Sequence, residues 1–420
     1  MHSSLTVFQQ LSTLFPFAHV NTSKDVVLLV AERPFTALAI CAVTTGANPG
    51  LQARVCYAFR LALSSKAIVE GERTIDLLVG LLIFLAWHHH YLEKQQIHQY
   101  LCLLVGMAND IVASPGHPPP EVAIERDRAL LGCYYLCSCI SRKAFNQPNP
   151  MKWTDNLRQR AVDVVHASSL PSDHDLIARV ELAHTIDDLN KDISTADHRQ
   201  STHTAILDAY AVSIANRLKS LKHHFPALGR IITLSAAMID THQQRLIANP
   251  DNTAVLVRCA CDISDYIDDL LGRPAAYMYQ MTTIDWTSLL SILLFMAKVA
   301  KHLPNTGGWE AGAAASVLSP VSILDRLCAH MASAPHNNRL APRNENLPRW
   351  FRMFCEGVKA KVVPDHDKLG HADTNFDSVN SKSSSAANMS LPYNNSNSPN
   401  SFANPGVLDE AFLRGLMAPS

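Results

Sequence analysis

The sequence is poor in charge and lacks a surplus of either sign. Charged residues make up 17% of the 420-residue chain, against the roughly 25% that is usual for soluble domains. Thirty-six basic and thirty-seven acidic side chains leave a formal net charge of −1. Domains that bind nucleic acid through phosphate contacts usually carry a basic surplus. The composition therefore predicts no direct contact with DNA or RNA, and no membrane surface as the main partner.

Long apolar runs and targeting signals are also missing. The longest apolar run, residues 77–87, is far shorter than the ~20 residues that a membrane-spanning helix needs. Residues 1–19 have neither a basic start nor a clean apolar block, so no secretory signal is predicted. The ten cysteines include no C-x-x-C pair, and a reduced intracellular protein is therefore the expectation.

The common catalytic motifs are absent as well. The sequence has no G-x-x-x-x-G-K-[ST] loop, no G-x-G-x-x-G, no H-E-x-x-H and no G-x-S-x-G. These absences argue against the commonest nucleotide-binding enzymes, metalloproteases and hydrolases. We therefore predict no catalytic, cofactor-binding or metal-ligating residues, and a protein that is not an enzyme.

What the sequence does contain is helical periodicity along most of its length. Residues 74–91 are apolar nearly all round, which predicts a helix in the middle of a bundle. Thr74 is the expected amino cap, and Asp76 suits the positive end of the helix dipole. Further helices are predicted over 97–112, 121–141, 157–166, 176–189, 206–224, 253–271, 284–302 and 321–331. No strand pattern stands out, so the predicted fold is all-α, an irregular multi-helix domain.

Three parts of the chain differ in composition. Residues 1–362 are predicted to form one all-helical domain. Residues 363–406 are rich in Ser and Asn and have few large apolar side chains. Such a segment cannot bury enough surface to offset its ordering entropy, so a disordered linker is predicted there.

The last part, residues 407–420, has the pattern of a short amphipathic helix. Leu408, Phe412 and Leu416 recur at helical spacing, with Asp409 beside them. An apolar stripe of this kind can bind a groove on a partner protein, and we predict these residues as a partner-binding activation segment. A tail without function, or one that docks on its own domain, stays open.

Histidines and cysteines are common metal ligands, and the sequence contains one cluster of each. The consecutive histidines 88–90 point about 100° apart on a helix and cannot all face one metal ion, so we predict a polar end to a buried helix. The clustered cysteines are predicted to pack in the core, as free cysteines usually do. They are Cys133, Cys137, Cys139, Cys259 and Cys261.

Aspartates form the third constellation. One group comprises Asp262, Asp265, Asp268 and Asp269, and another comprises Asp187, Asp188 and Asp192. Aspartate-rich helices are typical of magnesium-dependent terpenoid synthases, and an enzyme of that kind stays open as the alternative. Residues 253–271 place their aspartates opposite the apolar stripe, however, so these carboxylates are predicted to face solvent rather than a cavity.

Four stretches carry a resemblance to a known family: residues 32–40, 68–88, 128–136 and 151–154. They contain E-R-P-F, E-G-E-R-T-I-D-L-L-V-G, R-A-L-L-G-C-Y-Y-L and M-K-W-T, respectively. In this order and spacing they resemble the regulatory region, or middle homology region, of fungal zinc binuclear-cluster transcription factors.

The resemblance implies an all-helical region that regulates transcription in the nucleus, and the cytoplasm is a second location in keeping with it. The implied partners are the transcription machinery or a related DNA-binding factor, with a small-molecule inducer. The family's zinc cluster begins with a C-x-x-C pair that this sequence lacks, so no cofactor and no direct DNA contact are expected. A helical scaffold or decoy that pairs with full-length factors stays open.

Overall fold

The fold is built from helices in the part of the chain that the structure describes. The computed structural model describes residues 2–20, 26–88, 92, 94–114, 116, 118–145, 149–196, 253–302, 318–334 and 346–362. Within these ranges there is no strand, and the all-α prediction is confirmed. The predicted helix over 206–224, the linker 363–406 and the tail 407–420 lie outside the described residues.

Thirteen α-helices run through the described ranges. The first nine are α1 (His2–Ser12), α2 (Val26–Glu32), α3 (Pro34–Thr44), α4 (Pro49–Leu63), α5 (Ile75–Trp87), α6 (Lys94–Ala113), α7 (Pro120–Phe145), α8 (Asp155–Ala167) and α9 (His174–Ala196). The last four are α10 (Thr253–Leu271), α11 (Thr283–His302), α12 (Pro320–Ala332) and α13 (Asn346–Val362). A π-helical turn, Ser64–Val69, extends α4, and short 3₁₀ turns precede α9 and α11 at Pro171–Asp173 and Ala275–Tyr279. The prediction for 253–271 has the observed bounds of α10.

Helix α5 lies at the centre of a first hydrophobic core because nearly all of its residues are apolar. The Thr74 hydroxyl caps its amino end by accepting a hydrogen bond from the Leu77 amide at 3.2 Å. Every residue from 77 to 87 is buried. A helix without a polar face has to be covered on all sides, and α3, α6, α7 and α11 pack around it. The predicted central position and the predicted cap are both confirmed.

Helices α3 and α5 approach each other closely. A Cβ atom added at Gly80 of α5 would lie 2.6 Å from the Phe35 ring and 3.1 Å from the Phe35 carbonyl oxygen. One turn earlier, the Asp76 carboxylate accepts hydrogen bonds from the backbone amides of Phe35 and Thr36, both at 2.9 Å. The first amides of a helix have no partner within it, so Asp76 caps α3 from the neighbouring helix.

Aromatic side chains fill the space between these helices. Phe35, Phe59 and Phe84 form a column, with ring centroids 4.5 and 4.2 Å apart. Offset aromatic contacts of this kind add to the stability gained from burying the rings. Phe8 and Phe15 continue the cluster toward the amino end of the chain. The first core therefore draws on helices α1 to α9.

A second hydrophobic core is formed by α10 to α13. Trp286 of α11 is buried at its centre, with its ring edge-to-face against Trp350 and Phe351 at centroid distances of 6.0 and 5.5 Å. Leu324 and Leu327 of α12 are fully buried beside them. Helices α12 and α13 pack against each other, and α13 also packs on α11.

Helix α11 belongs to both cores. It contributes Leu289 and Leu293 to the second core and Ile284 to the first, and it packs on α5 and α7. Within the described ranges, residues Thr283–Ala300 form a helix long and apolar enough to cross a membrane, as does the bent pair of α2 with α3 taken as one span. Polar residues interrupt this stretch, so it contains no apolar run as long as residues 77–87. In the fold, 61% of it is buried against other helices, as expected for a core helix.

The close contact at Gly80 generates a prediction with a matched control. Gly80→Ala should lower the free energy of unfolding by about 1–3 kcal/mol, because the new methyl group overlaps Phe35. An added Cβ at Gly106 of α6 would have no atom within 4 Å. Gly106→Ala should therefore raise the free energy of unfolding by roughly 0.5–1 kcal/mol through helix propensity. Urea denaturation followed by circular dichroism measures both, and equal effects of the two changes would contradict the packing at Gly80.

Candidate functional site

The predicted partner-binding residues lie outside the described residues, so their role stays a prediction. They are Leu408, Asp409, Phe412 and Leu416. In the described part of the chain, polar side chains with candidate chemistry gather in two places, inside the first core and where the two cores meet.

The histidine run 88–90 begins at the carboxyl end of α5. His88 is 3% exposed, and its backbone amide donates a hydrogen bond to the Phe84 carbonyl at 2.8 Å. The predicted polar end of a buried helix is therefore confirmed for His88. His89 and His90 lie outside the described residues.

The ring of His88 meets a cysteine thiol. Its Nε2 atom lies 3.0 Å from the Sγ atom of Cys56. A cysteine and a histidine at this distance also occur as the nucleophile and the base of catalytic pairs. Burial raises the pKa of the Cys56 thiol to about 12, so the thiol stays protonated at neutral pH and is a poor nucleophile. The two residues are 32 positions apart, and no local sequence signal joins them. The contact supports packing rather than covalent chemistry.

The cysteines of α7 pack in the core as predicted. Cys133 and Cys137 are fully buried, and Cys139 is 6% exposed. The same prediction is wrong for Cys261, which is exposed on α10. One helical step of about 100° separates it from Ala260, and it is Ala260 that takes the core-facing position. Among the described residues, no three metal-ligating side chains are grouped.

Helix α10 presents most of its acidic side chains to solvent. Asp265, Asp268 and Asp269 are exposed, as the apolar stripe predicts. Asp268 forms an ion pair with Arg326 of α12 at 2.8 Å. Asp262 is half-buried and so departs from the expectation of a fully solvated face. The exposed carboxylates do not converge in a cavity where they could bind magnesium together.

Asp187, from the second aspartate group, lies in the interior. It is 2% exposed, and its Oδ2 atom accepts hydrogen bonds from the Tyr134 hydroxyl at 3.0 Å and the Asn149 side-chain amide at 2.7 Å. Beside it, the Trp153 ring stacks on the His184 ring with centroids 4.2 Å apart. Tyr134 and Trp153 come from two stretches that carry the family resemblance, and both contact α9.

Arg128, from the same stretch as Tyr134, forms a buried ion pair. Its guanidinium contacts both carboxylate oxygens of Asp173, at 3.1 and 2.6 Å. The two side chains are only 6% and 1% exposed. Asp173 ends the turn that precedes α9, so the pair fixes the start of α9 on α7. Two parallel hydrogen bonds of this kind give the contact a defined geometry as well as charge neutralisation.

The two cores meet at the carboxyl end of α5, where the last carbonyl groups have no partner within the helix. The Thr283 hydroxyl lies 2.8 and 3.0 Å from the carbonyl oxygens of Leu85 and Ala86 and donates to them. The indole Nε1 of Trp87 donates to the Gln280 carbonyl at 3.0 Å. These hydrogen bonds join residues nearly 200 positions apart and hold α11 on α5.

A second set of polar side chains at this contact is named the junction cluster and comprises Tyr135, Arg179, Tyr266, Tyr277 and Asp285. All five are half-buried. The charge of Asp285 acts on Arg179 of α9 and on all three tyrosines, and the charge of Arg179 acts on Tyr135 of α7 and on Tyr277. Burial, with the negative charge of Asp285, raises the pKa of all three tyrosine hydroxyls, which therefore stay neutral.

The junction cluster is suited to recognition rather than catalysis. Neutral tyrosine hydroxyls both donate and accept hydrogen bonds. The Nε atom of Arg179 is buried and has no hydrogen-bond partner among the described residues. Asp285 is positioned by the amide and hydroxyl of Thr282, at 2.9 and 2.8 Å. Sequence reasoning missed this cluster because its members come from five separate segments and share no local pattern.

Comparison with known proteins shows similarity to fungal transcription factors. The chain is 24% identical over 187 residues to transcription factor opdL of Penicillium oxalicum (strain 114-2 / CGMCC 5302), across 39% of this chain and 33% of that protein. It is 26% identical over 143 residues to transcription factor himD of Aspergillus japonicus, across 30% of this chain and 24% of that protein. No protein-family model and no solved structure matches the chain.

These matches confirm the resemblance to fungal transcription factors. The matched part spans about a third of the length of opdL and about a quarter of the length of himD. The similarity therefore concerns a region of these relatives, and what the whole relatives do is a matter of proposal for this chain.

The hydroxyl at the contact between the cores generates a prediction. Thr283→Val keeps the side-chain shape and removes the hydrogen-bond donor, so the free energy of unfolding should fall by about 1–2 kcal/mol. Thr283→Ser keeps the donor and should cost less. Urea denaturation of the full chain measures both, and a valine variant as stable as the original chain would contradict the contact.

The buried ion pair generates a second prediction. Asp173→Asn keeps the side-chain size but leaves the Arg128 charge without its counter-ion, which should cost about 3–5 kcal/mol of unfolding free energy. Asp268→Asn breaks an exposed pair with Arg326 and should cost about 1 kcal/mol or less. Thermal and urea denaturation compare the two variants. Similar losses in both would show that the Arg128 pair is not desolvated.

Proposed function

We propose that this chain is the helical regulatory region of a fungal transcription regulator, with a non-enzymatic role in the nucleus. The observation that carries the proposal is the similarity to the fungal transcription factors opdL and himD. The all-helical fold agrees with what the resemblance implies for such a region.

The positions of the four resembling stretches support this proposal. They lie in or beside α3, α5, α7 and the turn before α8, and they meet within the first core. Asp76 of one stretch caps the helix that begins with Phe35 of another. Tyr134 and Trp153, from the remaining two, pack together with ring centroids 5.2 Å apart. The resembling stretches thus meet one another in the core, as expected where a sequence likeness reflects a shared fold.

The solvent-facing aspartates of α10 support a non-enzymatic role. Binding of diphosphate through magnesium needs several carboxylates that converge on one cation. Asp265, Asp268 and Asp269 are exposed instead, and Asp268 already pairs with Arg326. Among the residues that the structure describes, these aspartates therefore do not favour the terpenoid synthase alternative over a regulator.

The proposed partners are proteins of the transcription machinery or a related DNA-binding factor. The net charge of −1 provides no basic surplus for phosphate contacts, which supports partners other than DNA itself. A small-molecule inducer is part of the same proposal. The junction cluster is the proposed place for it, because polar groups from both cores lie together there.

The tail provides the test of a role in activation. The full chain is fused to an unrelated DNA-binding domain, and a reporter gene is measured. We expect activation that falls several-fold when Leu408, Phe412 and Leu416 are all changed to Ala, because the apolar stripe is lost. Leu413→Ala, which removes a leucine beside the stripe, is the matched control and should leave most of the signal.

Other outcomes of the same work decide between the alternatives. A reporter signal no higher than that of the DNA-binding domain alone would remove the activator role. Co-purification with a zinc-cluster factor in the absence of activation would favour a scaffold or decoy. Product formed from farnesyl diphosphate and magnesium by the full chain would overturn the non-enzymatic proposal.

A further inference from the structure

Helix α4 and the π-helical turn that extends it expose a row of apolar side chains. Tyr57 and Leu61 of α4 and Ile68 and Val69 of the turn are between 57% and 78% exposed. Single exposed apolar residues are common on soluble proteins, whereas a contiguous apolar patch marks an interaction site. Spacings of four and seven residues place Tyr57, Leu61 and Ile68 on one side of the helical segment. We name these four side chains the α4 face.

The opposite side of α4 is apolar as well, and it packs in the first core. Cys56, Phe59 and Leu63 are buried there. A surface helix normally presents a polar side to water, and a helix that is apolar on both sides is expected to be covered on both. Within the single chain only the core side of α4 is covered, so the α4 face is open to a second molecule.

The π-helical turn holds its part of the α4 face in a fixed shape. The Lys66 ammonium forms ion pairs with Glu70 at 2.7 Å and with Glu72 at 2.9 Å. The Glu72 amide also donates a hydrogen bond to the Lys66 carbonyl at 2.9 Å. Just after the turn, Arg73 pairs with Asp110 of α6 at 2.8 Å. A surface that is already ordered loses little conformational entropy on binding, and π-helical turns are frequent at functional sites.

Charges of opposite sign lie at the two ends of the α4 face. Arg54 is exposed at the amino end. At the carboxyl end, Lys66, Glu70 and Glu72 carry one positive and two negative charges, which leaves one net negative charge. Leu61 lies between the ends, seven residues after Arg54 and nine before Glu70. A rotation by 180° about an axis at Leu61 therefore places the basic end of one copy on the acidic end of another.

We propose that the α4 face is a dimer interface, in which two copies of this chain pack their α4 helices antiparallel about a two-fold axis near Leu61. The Leu61 side chains of the two copies meet at the axis, and Tyr57 of each copy packs against Ile68 of the other. At each end, Arg54 of one copy lies next to Glu72 of the other. Burial of the apolar side chains drives the association, and the opposite charges set the antiparallel orientation.

A second copy fits this surface better than nucleic acid or a membrane does. The centre of the α4 face is apolar, and the charges at its two ends cancel, so it offers no basic patch for phosphate groups. A two-fold interface also needs a surface that is complementary to itself, and the order of basic end, apolar centre and acidic end meets this requirement.

Sedimentation velocity of the full chain measures the proposed association. We expect the mass to rise from that of one chain toward that of two as the concentration increases from about 1 to 100 μM. Leu61→Lys places two ammonium groups together at the axis and should raise the dissociation constant at least about tenfold. Met353→Lys on α13 is the matched control, because Met353 is 55% exposed, and it should change the constant less than about twofold. Circular dichroism of both variants checks that the helices are intact.

Two charge reversals test the antiparallel orientation. Arg54→Glu and Glu72→Arg each bring like charges together at both ends of the interface, so each variant alone should associate about tenfold more weakly than the native chain. In an equimolar mixture of the two variants, a mixed dimer regains an opposite-charge contact at both ends. The mixture should therefore associate about as strongly as the native chain.

Several results would overturn the proposal. The native chain could stay monomeric over the whole concentration range, or Leu61→Lys could associate as strongly as the native chain. A mixture that associates no better than its two components would contradict the two-fold contact. Association that begins only after residues 407–420 are deleted would show that the tail, rather than a second copy, covers the α4 face. None of these outcomes depends on the proposed regulatory function, which the reporter measurement tests.

Discussion

The burial of α5 on every side is the constraint on which the rest of the fold depends. A helix satisfies the backbone groups in its middle, but those at its ends need partners from elsewhere in the protein. Thr74 caps the amino end locally, and Thr283 supplies the donor at the carboxyl end from the other core. Asp76, in the first turn, is directed at α3. The polar ends of this one apolar helix therefore fix both α3 and α11 around it.

That arrangement couples the two cores. Helix α11 buries one part of its surface in each, and its first turn carries both Thr283 and Asp285. A movement of α11 on α5 would break buried hydrogen bonds and alter the surroundings of Arg179. Polar groups left without partners in a low-dielectric interior are costly in free energy. For the proposed regulatory role, a molecule or protein that contacts the junction cluster would act on both cores at once.

Sequence patterns predicted the elements better than the contacts of individual polar residues. The continuous apolar run predicted α5, and the apolar stripe predicted α10, because the arrangement of apolar residues reflects which faces of a helix meet the core. The apolar surroundings of the α7 cysteines likewise predicted that they are buried. The same rule failed at Cys261, where one helical step separates core from solvent. It also did not distinguish the buried Asp187 from the exposed Asp265, since the donors that satisfy Asp187 lie 53 and 38 positions away. The predicted tail residues lie outside the described residues and were not tested.

By itself, the sequence determined the helical class, the central place of α5 and the likeness to fungal transcription factors. These follow from composition, local periodicity and the order of short motifs, all of which are written along the chain. Only the tertiary structure decided that Arg128 pairs with Asp173 and that the Thr283 hydroxyl donates to the carbonyl groups at the end of α5. Helical periodicity specifies which side of a helix is buried but not which helix covers it, so contacts between distant polar side chains are set by the packing of the whole fold.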